Sequence, residues 1–266
     1  MAGLSNMNFL LLITVASTFL FLVGVRLYFT LYHNKMEVPV IKSADINISS
    51  SKIDEMIRLF QIYSNCADLK VVYERQNSYI KTFCNLNRKK KLIIIPTITI
   101  NSVGYEIDYI LGRIWTAAKI YNKNPNIMNY RRLTIIYPIF FKIVYYAFLV
   151  FSIILFILSK VDYENIILSN SFLFFLYRIP ILSITTIAAF LGLIILFVMA
   201  QNSKINLEDY YEMEVSVFVK DQLVGYQSDY LAARVYSRSI PYLQIPIMKF
   251  SRSTDNIKYF GPFNLF

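Results

Sequence analysis

One histidine, His33, two cysteines, one tryptophan and seven glycines are all that this 266-residue chain contains of those residue types. Each scarcity removes a class of chemistry. A single imidazole cannot make the paired histidines of a His-Glu-x-x-His zinc site, and His33, at the end of the first apolar run, reads as an interfacial residue rather than half of a metal site. Cys66 and Cys84 have no histidine partners with which to form a zinc set and read as free buried thiols in a reducing compartment. There is no glycine-rich phosphate loop, no Gly-x-Ser-x-Gly elbow and no Cys-x-x-Cys pair, so nucleotide hydrolysis, serine hydrolysis and thiol redox chemistry lack the residues they need. Charge is also sparse, at 17% of residues.

What fills the chain instead is apolar. The hydrophobic share is 56% and the mean hydropathy +0.46, too high for an ordinary soluble domain. From Asn8 to Tyr32 the chain is interrupted only by Thr14, Ser17, Thr18, Arg26 and Thr30, and a run of about 20 apolar residues spans hydrocarbon. A cleaved signal peptide is the rival reading. The run is long for one, no basic residue precedes it, and no small-x-small cleavage site follows, so it is expected to stay as an anchor. Two more spans are predicted near Ile135 to Leu158 and near Ile179 to Ala200, with Pro138 close to the start of the former and Lys142 inside it, snorkelling or facing protein. Between them Ile166 to Leu176 is too short to cross and reads as an interfacial helix.

Orientation follows from where the cations lie. No charge precedes the first span, whereas Arg26, Lys35 and Lys42 lie at or after its end, Arg131 and Arg132 precede the second, and Lys204 and Lys220 follow the third. The positive-inside bias puts the N-terminus outside and the polar regions on the cytoplasmic or matrix side. The net charge of +10 then reports topology and contact with anionic lipid headgroups, since the cations are spread along the inner side; nucleic acid is not an expected partner.

In the first polar region, Ser51 is a candidate N-cap before an amphipathic helix carrying Ile53, Met56, Ile57, Phe60 and Tyr63, with Asp54 and Glu55 in its first turn. Leu69 to Glu74, Ser78 to Leu86 and Lys91 to Ile100 read as strands, the last broken by Pro96, and Asn85 to Asn87 supply turn residues. The basic run Arg88, Lys89, Lys90 and Lys91 lies between two strands, as a solvated hairpin end or as a grip on anionic headgroups. Tyr105 to Tyr121 then carries Ile107, Ile110, Leu111, Ile114, Ala117 and Ala118 at helical spacing, ended by Asn122 to Pro125.

Anchor helix, amphipathic helix, small sheet, helix and two spans form an order that resembles the bacterial membrane-embedded neutral zinc metallopeptidase family (YugP type), over residues 8–215. Asn85-Leu86-Asn87-Arg88-Lys89-Lys90 resembles that family's Asp-Pro-Arg-Lys-Lys turn. The helix from Glu106 falls where the family has His-Glu-x-x-His, with Gly112 and Pro138 matching a glycine and a proline of its pattern, and Leu207-Glu208 resembles the hydrophobic-glutamate pair that gives the third zinc ligand. The resemblance places the former metal-site positions at Tyr109, Ile110, Arg113 and Glu208, where two histidines four residues apart would hold zinc and a glutamate would act as base. Tyr109 is a poor ligand and Arg113 cannot be one. It therefore implies a pseudoenzyme with no cofactor, in which Arg113 pairs with the orphaned Glu208.

The acidic group Glu208, Asp209, Glu212 and Glu214 reads as a solvated or partner-facing surface rather than a divalent-cation site. Beyond Lys220, apolar and aromatic residues without helical period, among them Tyr259, Phe260, Phe263 and Phe266, suit a segment that docks either on its own fold or on a partner or lipid. The expected fold class is an α+β membrane protein: an N-terminal transmembrane helix (1–34), an inner α/β domain with a minor sheet (35–132), two further transmembrane helices (133–202) and an inner C-terminal tail (203–266). The expected function is that of a non-catalytic integral-membrane subunit or adaptor of a larger complex, with membrane lipid and protein subunits as partners. The alternatives are a membrane zinc peptidase with atypical ligands and a free-standing lipid-binding protein.

Overall fold

The computed structural model describes residues 2–35, 38–41, 48–74, 85–96, 102–240 and 261–263. They are mostly helical, with one small sheet, and the chain divides into two compact units. Three helices among the described residues are long and apolar enough to cross a membrane. The protein is thus a multi-pass α+β membrane protein.

The first unit is built from α1 (Ala2–Lys35), α5 (Tyr137–Val161), α6 (Ser171–Arg178) and the apolar first half of α7 (Ile181–Gln222). Val15 and Leu22 of α1 pack with Tyr145 and Leu149 of α5 and with Ala189 and Leu193 of α7. Within that seam the Thr18 and Tyr145 hydroxyls share a hydrogen bond of 3.0 Å, satisfying two polar groups that lipid could not. Gly192 lies so close to the Phe141 ring that a Cβ there would overlap it, which explains why the helix carries its smallest residue at this contact. The outer faces expose Leu20, Phe21, Phe140, Ile143, Leu191 and Ile195. So much exposed apolar surface suits hydrocarbon rather than water. The stretch expected as one interfacial helix is two short pieces, a π-helical turn at Tyr163–Leu168 and α6, which Asn170 caps through the backbone N–H groups of Phe172 and Leu173. Pro138, which has no N–H to give back to Thr134, follows a π-helical turn at Arg132–Ile136.

The second unit holds the sheet and α2 (Ser50–Tyr63), α3 (Val103–Tyr121), α4 (Pro125–Arg131), the polar second half of α7 and α8 (Gln227–Ser239). β3 (Leu92–Pro96) is central, parallel to β1 (Lys70–Glu74) and antiparallel to β2 (Leu86–Asn87). Its alternation sends Ile93 and Ile95 into the core. α3 is buried along nearly its whole length, the mark of a helix surrounded by protein on all sides. Phe60 of α2 meets Phe218 of α7 edge to face, 4.8 Å between ring centroids.

Several boundaries differ from expectation. The cap of α2 is Ser49, whose hydroxyl accepts from the Lys52 N–H, so Asp54 and Glu55 lie beyond the first turn. The hairpin turn falls at Arg88–Lys91 rather than Asn85–Asn87: Asn85 is fully buried and donates to the Arg113 carbonyl at 2.9 Å, while Leu86 and Asn87 pair with β3. The chain after the third span is not a tail at first, because α7 runs on unbroken to Gln222 and α8 follows. Most of the expected strand Ser78 to Leu86, together with residues 97–100, lies outside the described residues.

Candidate functional site

Four charged side chains meet in the interior of the second unit, on α3, α7 and α8. Asp108, Lys204, Glu208 and Arg234 are each at most 3% exposed. The Arg234 guanidinium lies between two carboxylates. Its Nη1 donates to Asp108 Oδ2 at 3.2 Å and its Nη2 donates to Glu208 Oε2. Lys204, one turn before Glu208 on α7, stands 3.8 Å from Glu208 Oε1, an ionic contact beyond hydrogen-bond reach, and donates instead to the Ile240 carbonyl at 2.6 Å. Asp108 collects two neutral donors besides: the Tyr211 hydroxyl at 2.9 Å and the Ser237 hydroxyl at 3.1 Å. The Arg234 guanidinium carbon also lies 4.7 Å from the Tyr211 ring centroid, a cation–π contact.

Two acids and two bases make this network neutral overall, which is what allows it to be buried: isolated charges would each cost several kcal/mol to desolvate. Burial alone would depress the Arg234 pKa, but the carboxylates of Asp108 and Glu208 hold it well above its ordinary value. α8 can approach α3 this closely because Gly104 leaves room for the Asp229 backbone; a Cβ at that position would collide with the Asp229 carbonyl.

The positions singled out by the resemblance to zinc peptidases have other tasks. Tyr109 donates its hydroxyl to the Pro96 carbonyl at 2.7 Å, tying α3 to the end of β3. Ile110 is a core residue. Arg113 is buried, with its guanidinium carbon 4.8 Å from the centroid of the Tyr109 ring. The expected Arg113–Glu208 pair is not among the ion pairs of the described residues; Glu208 is held by Arg234 and Lys204 instead. These side chains do not fit a zinc ion. Among them only Glu208 is an ordinary ligand, and both of its oxygens face cations. Among the described residues no group of three or more His, Cys, Asp or Glu side chains converges as a metal set would.

The acidic group on α7 is paired rather than loose. Glu214 accepts from Lys119 at 2.7 Å and from the Trp115 indole N–H at 2.7 Å, while Arg238 of α8 reaches Asp209 at 2.6 Å and Glu212 at 2.9 Å. In the basic run, Arg88 donates to the Ile120 carbonyl at the end of α3 and Lys91 pairs with Asp68, leaving Lys89 and Lys90 exposed at the hairpin end. Phe263 is fully buried against the chain's own Trp115 and Tyr211. Tyr259, Phe260 and Phe266, and Cys84, lie outside the described residues. Burial pushes the Cys66 thiol up to about 12, so this cysteine stays protonated and unreactive at neutral pH.

Comparison with protein-family models, with curated proteins and with solved structures finds no match. Nothing in those comparisons identifies a metallopeptidase relative.

Proposed function

We propose that the chain is a non-catalytic integral-membrane subunit or adaptor, with its N-terminus outside and its polar unit on the cytoplasmic or matrix side. The observation that carries the reading is the Arg234 guanidinium between Asp108 and Glu208. Where two buried carboxylates converge, a hydrolase would hold a metal ion or an ionisable acid–base pair open to substrate. In this protein a permanently charged side chain fills that place with its donors directed at both acids. An arrangement of this kind fixes three helices in one geometry and offers no group to a substrate. The exposed Lys89 and Lys90 then serve contact with anionic lipid headgroups or a partner subunit.

Purification in mild detergent from native membranes, with metal analysis of the same sample, tests the proposal. Other subunits at fixed ratio and no zinc are expected. A solitary chain with stoichiometric zinc would restore the peptidase reading, and a solitary monomer with tightly held anionic lipid would favour a lipid-binding protein.

A further inference from the structure

Beside the ionic network, three consecutive residues from near the C-terminus are seated against α3, α4, α7 and α8. Each has its own recognition feature. Gly261 adopts a positive φ of 88° and packs on Ser237, where a Cβ would come within 2.9 Å of the Ser237 Cβ. Pro262 fills the space left by Gly112, and a Cβ on Gly112 would overlap its ring. The Phe263 ring meets Trp115 and Tyr211 edge to face, with centroids 5.6 Å and 5.3 Å apart and planes at 68° and 82°. Trp115 and Tyr211 also meet each other edge to face, at 5.3 Å. The Tyr130 hydroxyl donates to the Phe263 carbonyl at 3.0 Å.

This pattern is that of peptide recognition: one main-chain hydrogen bond, one aromatic pocket, and glycines where backbone and ring must come close. We propose that α3, α4, α7 and α8 form a peptide-binding socket specific for a Gly-Pro-aromatic segment, filled by the chain's own Gly261–Phe263 as a C-terminal latch. The latch bears directly on the network. Ser237 and Tyr211, which it packs against, are both neutral donors to Asp108, and Gly112 lies one helical turn beyond Asp108. Seating the latch holds those donors in place. The socket does not depend on the chain being a subunit of anything larger.

Trp115 is the only tryptophan in the chain, so its fluorescence reports socket occupancy. The full-length chain carrying Phe263→Ala is titrated in detergent with a synthetic peptide of residues 258–266, and separately with the same peptide bearing alanine for Phe263. The variant alone should show a red-shifted Trp115 emission. The native peptide should reverse that shift saturably, and the alanine peptide should bind at least about tenfold more weakly, the low end of what burying a Phe side chain contributes. The wild-type chain, its socket filled, should not respond. Phe263→Leu, whose smaller side chain gives up the edge-to-face contacts with Trp115 and Tyr211 and so seats less tightly, serves the same titration, with a smaller shift expected, if Phe263→Ala does not fold. Unchanged Trp115 emission in a folded variant, or equal binding of the two peptides, overturns the proposal.

Discussion

At the scale of single residues, Arg234 is the most consequential side chain in the second unit. Removing one partner of a buried ion pair leaves the other charge desolvated and alone, at a cost of roughly 3–5 kcal/mol. Arg234→Met leaves Asp108 without its cation and Glu208 with Lys204 alone. It is expected to lose at least that much stability in thermal unfolding in detergent. Arg234→Lys, which keeps the charge but not the fork, should lose less. At the surface, the Tyr121 hydroxyl, followed by Lys91, holds the Asp68 carboxyl below its ordinary pKa. A carboxylate with a lowered folded-state pKa stabilises the fold above its unfolded pKa and stops doing so as pH falls through the folded one. The difference in melting temperature between wild type and Asp68→Asn should therefore be present at neutral pH and vanish in acid. A difference that grows in acid would show the sign to be wrong.

At the scale of elements, the small residues mark where helices come closest. Gly192 of α7 is pressed against Phe141 of α5. Gly192→Ile forces volume into a packed membrane seam and should cost about 1–3 kcal/mol, read as a lower midpoint for loss of helicity in denaturing detergent. Helix periodicity made α2 and α3 legible from sequence, and apolar runs made the three spans legible. The continuation of α7 to Gln222 was not, because hydropathy falls at Gln201 while helix propensity does not, and only packing on α3 settles which signal rules. The site was legible in part. An acid flanked by apolar helix positions, as Asp108 is by Ile107 and Tyr109, is rarely buried unless paired, so Asp108 carried a signal that apolar periodicity passes over. Its partner Arg234 carried none: α8 is short and polar, and only the tertiary fold turns it inward.

At the scale of the whole molecule, the two units solve opposite solvent problems with the same economy of polar groups. The first buries little of its apolar surface and shares a hydroxyl pair between α1 and α5. The second buries charge and balances it to zero within one cluster. That cluster also sets a timetable. Asp108 and Arg234 are 126 residues apart in sequence, and chains grow at about 5–20 residues per second, so roughly 6–25 s separate their synthesis. Both later spans are made in that interval. The interior of the second unit therefore cannot close while it is being translated; it must wait, with a carboxylate on its central helix, until the membrane has been threaded twice more. Any ribosome that stalls after α3 leaves a chain that is already anchored and lacks the arginine its buried carboxylate needs, for as long as the stall lasts.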